Sequence, residues 1–169
     1  MGRKPILSLA EIEPLVRQGM TQKQISEIIG VSRQAVSKFM QEHAKHLLTP
    51  RQVIAEHFPW KVPYSLLQTS PYKRMRDHGE WFETNGEGMS PEKLNRLRWW
   101  YRHLRNENVV LEFDPDIAPE PGVSKRGGFA YRPRVASDGK LLFRVNRYTK
   151  EMTPEMYTIW ELPEPEEQP

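Results

Sequence analysis

One stretch constrains the fold more than any other: "TQKQISEIIGVSRQAVSKFMQ", residues 21–41. Ile25, Ile29, Val31, Val36 and Phe39 are spaced so that two short helices close over a shared apolar seam. Thr21 and Ser32 each stand where a capping hydroxyl is wanted. Gly30, between them, supplies the positive φ that ends one helix before the next begins. At about 100° per residue, Arg33, Gln34, Ser37, Lys38 and Gln41 share one arc of about 140° on the second helix, and Ala35, Val36, Phe39 and Met40 take the opposite arc. A helix divided in this way buries one side and offers the other to water or to a partner. The upstream "LAEIEPLVRQG", residues 9–19, supplies a third helix to complete the unit.

The pattern Q-x-x-I-S-x-x-I-G-V-S-x-x-x-V-S-x-F resembles the helix-turn-helix DNA-binding motif in its apolar positions, corner glycine and capped second helix. Ser26 departs from it, because a small alanine is usual there, but serine still permits a close helix approach. The resemblance covers about 35 residues and implies a recognition helix whose first turn faces base edges in the major groove. Arg33 then suits guanine O6 and N7, Gln34 suits adenine N6 and N7, and Lys38 reaches a base or a phosphate. Ser32, Ser37, Thr21 and Gln22 are short polar groups suited to phosphates and groove walls.

Charge points the same way. The net charge of +3 hides an asymmetry: residues 151–169 hold six acidic residues and no basic one, so residues 1–150 carry 25 basic and 16 acidic side chains, a net of +9. A basic body with an acidic, proline-rich end fits a polyanionic partner from which the tail is held away. The 169 residues contain no cysteine, which excludes disulfides, thiolate catalysis and cysteine-based zinc sites and fits a reducing cytoplasm. No apolar run approaches the roughly 20 residues of a membrane span, and "MGRKPILSLAEIE" lacks the apolar stretch of a secretory signal.

The rest of the chain divides into further parts. Residues 1–48 form the helix-turn-helix domain, and 49–63 a connector made of a short helix and an extended piece, because prolines 59 and 63 argue against one continuous helix. Residues 64–160 read as a second mixed domain, and 161–169, "ELPEPEEQP", as an acidic disordered tail. Ser70-Pro71 and Ser90-Pro91 are helix starts, the first helix running to about Glu83. Leu94, Leu97, Tyr101 and Leu104 mark the packing face of the second. "VVLEFD", "GGFAYRPRV" and "KLLFRVNRY" read as a three-stranded antiparallel sheet, the last entered through a Ser137-Asp138-Gly139 turn. The expected class is therefore mainly α with a small antiparallel β-sheet (α+β). The order helix, glycine-rich turn, basic helix, strand, basic loop, strand is that of a winged helix.

Several side chains of this second domain suit DNA. Arg98, Arg102 and Arg105 fall on one helical stripe flanked by Asn95. Lys73, Arg74 and Arg76 lie near a helix start, where free N–H groups also favour phosphate. Lys125 and Arg126 stand at a glycine-rich loop. In Trp99-Trp100-Tyr101 the seam takes Tyr101, Trp100 borders it and Trp99 is the exposed member. Asp114 and Asp116 in "FDPD" read as a strand-ending turn rather than a metal pair. His43 and His46 have a metal-compatible spacing but no third ligand. No phosphate-cradling loop or nucleophile elbow occurs, so no enzyme activity, cofactor, metal or small-molecule substrate is expected.

Beyond the motif, the whole chain resembles the immunity repressors of temperate mycobacteriophages. The shared features are its length, "GVSRQAVSKF", the connector, and a tryptophan- and arginine-rich second domain containing "RWWYRHLRNENVVLEFDPD". The resemblance implies a cytoplasmic transcriptional repressor that binds double-stranded DNA at operators and at dispersed related sites, maintaining lysogeny and superinfection immunity. Asymmetric sites of that kind suit a monomer with two DNA-binding domains, and no heptad seam offers a dimerisation helix. The residues leave two other readings open: a DNA-bending recombination or excision accessory factor, and a regulator whose second domain binds a protein or small ligand.

Overall fold

The computed structural model describes residues 6–44 and 46–169. Residues 1–5 and Lys45, which the sequence reading places in the first domain, lie outside the described residues. The chain divides into two compact units at Glu56/His57, within the stretch read as connector. Helices α1 (Leu9–Arg17), α2 (Gln22–Ile29) and α3 (Arg33–Glu42) are followed by α4 (Pro50–His57), α5 (Ser70–Thr84) and α6 (Pro91–Asn106). Strands β1 (Val109–Phe113) and β2 (Phe129–Pro133) come next, and α7 (Pro154–Ile159) closes the order. Single 3-10 turns lie at Tyr64–Leu66 and Ala136–Asp138. The class is α+β, as expected.

In the first unit, α1–α3 enclose Ile12, Val16, Ile25, Val36 and Leu47, with Ile29, Val31, Phe39 and Met40 packed against them. Both helix starts are chemically specified. Thr21 Oγ1 accepts the Gln24 N–H at 3.2 Å while Gln24 Oε1 accepts the Thr21 N–H at 2.8 Å, a reciprocal cap. Ser32 Oγ accepts the Ala35 N–H at 3.1 Å. Gly30 ends α2 at φ +78°, and the Gly30 and Val31 N–H groups both donate to Ser26 O, at 2.9 and 3.1 Å. Ser26 is buried and turns its hydroxyl to Lys23 O at 2.7 Å, so the serine costs the close α2–α3 approach nothing. His43 bonds Phe39 O through Nδ1 and stacks on the Phe39 ring, finishing α3.

The second unit is built on aromatic packing. Trp60 meets Phe113, Phe129 and Phe143 at centroid distances of 5.1–5.9 Å, and Phe58 meets Trp160 at 5.6 Å. α6 packs through Leu97, Trp100, Tyr101 and Leu104 against α5 and β1. Antiparallel β1 and β2 pair from Val109↔Pro133 to Phe113↔Phe129. Asp114 opens the excursion between them as an Asx turn, its Oδ1 accepting the Asp116 N–H at 2.9 Å.

Two expectations are corrected here. The third strand is not an antiparallel member of the sheet. Residues 141–143 make one parallel bridge to β1, with Leu111 N–H to Leu142 O at 3.0 Å and Arg144 N–H to Leu111 O at 2.8 Å. Leu141, Leu142 and Phe143 are all buried, and the Leu142 N–H is taken by Trp160 O at 2.9 Å. A segment enclosed on every side loses the in–out alternation of an edge strand. Residues 161–169, expected to be structureless, instead belong to the second unit. Glu161 bridges Leu141, the Leu162 N–H donates to Lys140 O at 2.8 Å, and Pro163 is buried.

Candidate nucleic-acid interface

The exposed face of α3 follows from the division of its residues. Val36 is fully buried and holds the helix down, with Ala35, Phe39 and Met40 half-buried beside it. Arg33 and Gln34, on the opposite arc, are exposed and have no hydrogen-bond or ion-pair partner among the described residues. Lys38 is 79% exposed, and its 4.0 Å approach to Glu42 in open water leaves it free to move. Ser37 and Gln22 are half-buried. Thr21 and Ser32 are exposed, but each hydroxyl oxygen already accepts a backbone N–H as a cap, so what remains for a partner is the donated proton and one lone pair.

The second unit distributes its cations unevenly. Lys73 and Arg102 are exposed on α5 and α6. Lys125 and Arg126, also exposed, are brought by their loop to the start of α5, where with Gln68, Thr69 and Ser70 they line a cavity of about 370 Å³. Thr69 does not cap α5, because its hydroxyl donates to Leu66 O at 2.6 Å. Arg74 is turned inward: its side chain is 11% exposed and pairs with Asp77 at 3.1 Å. Burial raises the Asp77 pKa, the opposing pull of Arg74 being the smaller influence. Arg74 Nε and Nη1 are buried without partners, so this residue serves the wall of the unit rather than its exposed stripe. It helps line a groove of about 760 Å³ with Asn95, Arg96, Trp99, Trp100 and His103. Trp99 is 70% exposed, while Trp100 and Tyr101 are buried.

The α6 stripe carries contacts that its spacing did not announce. Asn95 Oδ1 accepts from Arg98, whose Nε donates to Pro169 O. Arg105 donates to Pro163 O at 2.5 Å and to Gln168 Oε1 at 3.2 Å. Sequence reasoning also passed over Arg96, which its Glu92 partner at 3.7 Å disguises as an ordinary i,i+4 surface pair.

The exposed polar arc on α3 and the basic side chains of the second unit suit a polyanion. Among the described residues there is no group of three or more His, Asp or Glu placed to hold a metal, and no helix is long and apolar enough to cross a membrane. No protein-family model matches the chain. A repressor-like immunity protein of Mycobacterium phage L5 is 40% identical over 159 residues, which span 94% of this chain and 85% of that protein. Similarity of that degree over nearly the whole length exceeds what a shared DNA-binding motif would produce, and the chain belongs to the family of mycobacteriophage repressor-like immunity proteins.

Proposed function

We propose that the protein is a sequence-specific DNA-binding transcriptional repressor, not an enzyme, in which α2, the Gly30 corner and α3 act as a helix-turn-helix. One observation carries the reading: Arg33 and Gln34 stand exposed and unpartnered among the described residues on the first turn of α3, while Val36 pins its opposite face. That arrangement suits bidentate reading of guanine by Arg33 and of adenine by Gln34, with Lys38 one turn on reaching a base or phosphate. Acting in the cytoplasm of the lysogen, the repressor silences lytic promoters at its operators and occupies related sites elsewhere in the phage genome. It thereby maintains lysogeny and immunity to superinfection.

The second unit supplies a further DNA contact through Arg102, Lys73, Lys125 and Arg126, whose exposure supports phosphate binding. One monomer with two unlike surfaces suits an asymmetric site. The test is a footprint of the full-length protein on phage DNA, together with Arg33→Ala. The variant should lose about 1–3 kcal/mol on the cognate site and relax the preference at one base pair. Equal losses on cognate and random duplex would remove Arg33 from base reading, and a symmetric footprint would rule out the monomer.

A further inference from the structure

The α6 arginine stripe is partly occupied by the chain itself. Of its three arginines, Arg98 donates to Pro169 O and Arg105 to Pro163 O and Gln168 Oε1, while Arg102 between them stays exposed, with no partner among the described residues. Arg98 and Arg105 are two helical turns apart, about 10 Å. The covering segment therefore lies over the stripe rather than touching it at one point.

The two acceptors of Arg105 are unusual for a cation, a backbone carbonyl and a side-chain amide, both neutral, whereas Arg98 meets a carboxylate oxygen of Pro169, the last residue of the sequence. The side-chain carboxylates nearby are directed elsewhere. Glu164 pairs with Lys140 at 3.3 Å, while Glu166 and Glu167 are exposed and have no cation partner among the described residues. Phosphate is the stronger acceptor for the Arg105 guanidinium, since hydrogen bonds to an ionised acceptor are about twice as strong as neutral ones, and at Arg98 it replaces one anion by another. The segment is thus exchangeable for phosphate, and its unpaired carboxylates repel an approaching duplex until it moves. Its base is fixed. Pro163 is buried, the Leu162 N–H is held by Lys140 O at 2.8 Å, and Glu161 bridges Leu141. Displacement from residue 164 onward would leave the core undisturbed.

We propose that residues 164–169 form an anionic strap that competes intramolecularly with DNA phosphate for Arg98 and Arg105. It suppresses binding to random duplex, which gains only phosphate contacts, more than binding to a cognate site, where base contacts help to displace it. This inference rests on the reading that the α6 stripe meets DNA. The test compares the full chain with a chain ending at Pro165, which keeps the Pro163 carbonyl neutral, each titrated with random and cognate duplex over a series of salt concentrations. Each phosphate neutralised steepens the dependence of log affinity on log salt by about 0.9. The shortened chain should bind random duplex severalfold more tightly at low salt, with a slope steeper by about one such step for Arg98, because Arg105 keeps its Pro163 O acceptor. Its advantage on cognate duplex should be smaller. Arg98→Ala with Arg105→Ala should abolish the gain in the shortened chain and change little in the full chain.

Arg102→Ala in the full chain separates the two possible failures. If Arg102→Ala weakens binding to all duplexes but removing the strap changes neither affinity nor slope, the strap is overturned and the α6 reading stands. If Arg102→Ala and the paired changes in the shortened chain all leave binding untouched, the α6 reading fails and the strap with it. Should the shortened chain fold poorly, Glu166→Gln with Glu167→Gln in the full chain tests the same charge. Tighter random-duplex binding supports the strap, and unchanged binding refutes it.

Discussion

His78 commits both ring nitrogens inside the second unit. Nε2 lies 2.5 Å from Ile159 O and Nδ1 2.6 Å from the Tyr101 hydroxyl, with the Trp81, Tyr101 and Trp160 rings around it. The carbonyl can only accept, so Nε2 carries the proton, and Nδ1 accepts from a Tyr101 hydroxyl whose own ionisation burial strongly opposes. This neutral tautomer has no cheap way to take a second proton. Burial lowers the His78 pKa from 6.5 to about 4, against the smaller opposing effect of the Ile159 bond. Above pH 6.5 the folded and unfolded chains hold this ring alike, and stability is full. As the pH falls from 6.5 towards 4, the unfolded chain gains a proton that the folded chain refuses. Folding should then weaken by up to roughly 3 kcal/mol. Urea midpoints measured between pH 7 and pH 4 should fall steeply for the natural protein and less steeply for His78→Gln. Parallel curves would mean that the ring is not held neutral. Nothing in the local sequence announces this site, because its partners are 23 and 81 residues away.

At the scale of elements, what was legible was local. Thr21, Gly30 and Ser32 act within four residues of themselves, and the α3 division follows from its own ten residues, so both could be read from spacing. The third strand and the final segment could not. Whether residues 141–143 alternate depends on Trp160, beyond the reach of local spacing, taking the Leu142 N–H, and the segment beyond Glu161 is held by Lys140 and the α6 arginines. Arg74 lies between these cases: Asp77 sits at i+3, a legible pair, but its burial comes from packing. The two glycine turns make the contrast measurable. Gly30, at φ +78°, has no atom within 4 Å of the place an alanine methyl would take, so Gly30→Ala should cost only left-handed strain, about 1–2 kcal/mol. Gly127, at φ +74°, would bring a Cβ to 2.2 Å from Ile117 O, and Gly127→Ala should cost more because backbone must move. All five tryptophans lie beyond residue 56, so their fluorescence reports the second unit. Its denaturation midpoint should shift for Gly127→Ala and stay put for Gly30→Ala, whose loss appears in far-UV circular dichroism.

For the whole molecule, the open matter is whether the two units act on one DNA site together. Neither needs to bind tightly alone, because a tether turns the second encounter into an intramolecular one and multiplies affinity without new contacts. Arg33 and Arg102 are suitable probes: each is exposed, each lacks a partner among the described residues, and they belong to different units. On the proposed reading Arg102 meets phosphate, and Arg102→Ala should then weaken cognate and random duplex alike and reduce the salt slope by about one ion. Arg33→Ala should act mainly on the cognate site. With both units engaged on that site, the double variant should lose the sum of the two single losses to within about 0.5 kcal/mol, as independent positions do. If the second unit binds only separate DNA, Arg102→Ala leaves cognate affinity unchanged and the double variant matches Arg33→Ala. Binding isotherms for the four proteins on one duplex separate these outcomes. A double loss well short of the sum would mean that weakening one unit already releases the other, so that the tether acts as a cooperative switch rather than as a simple link.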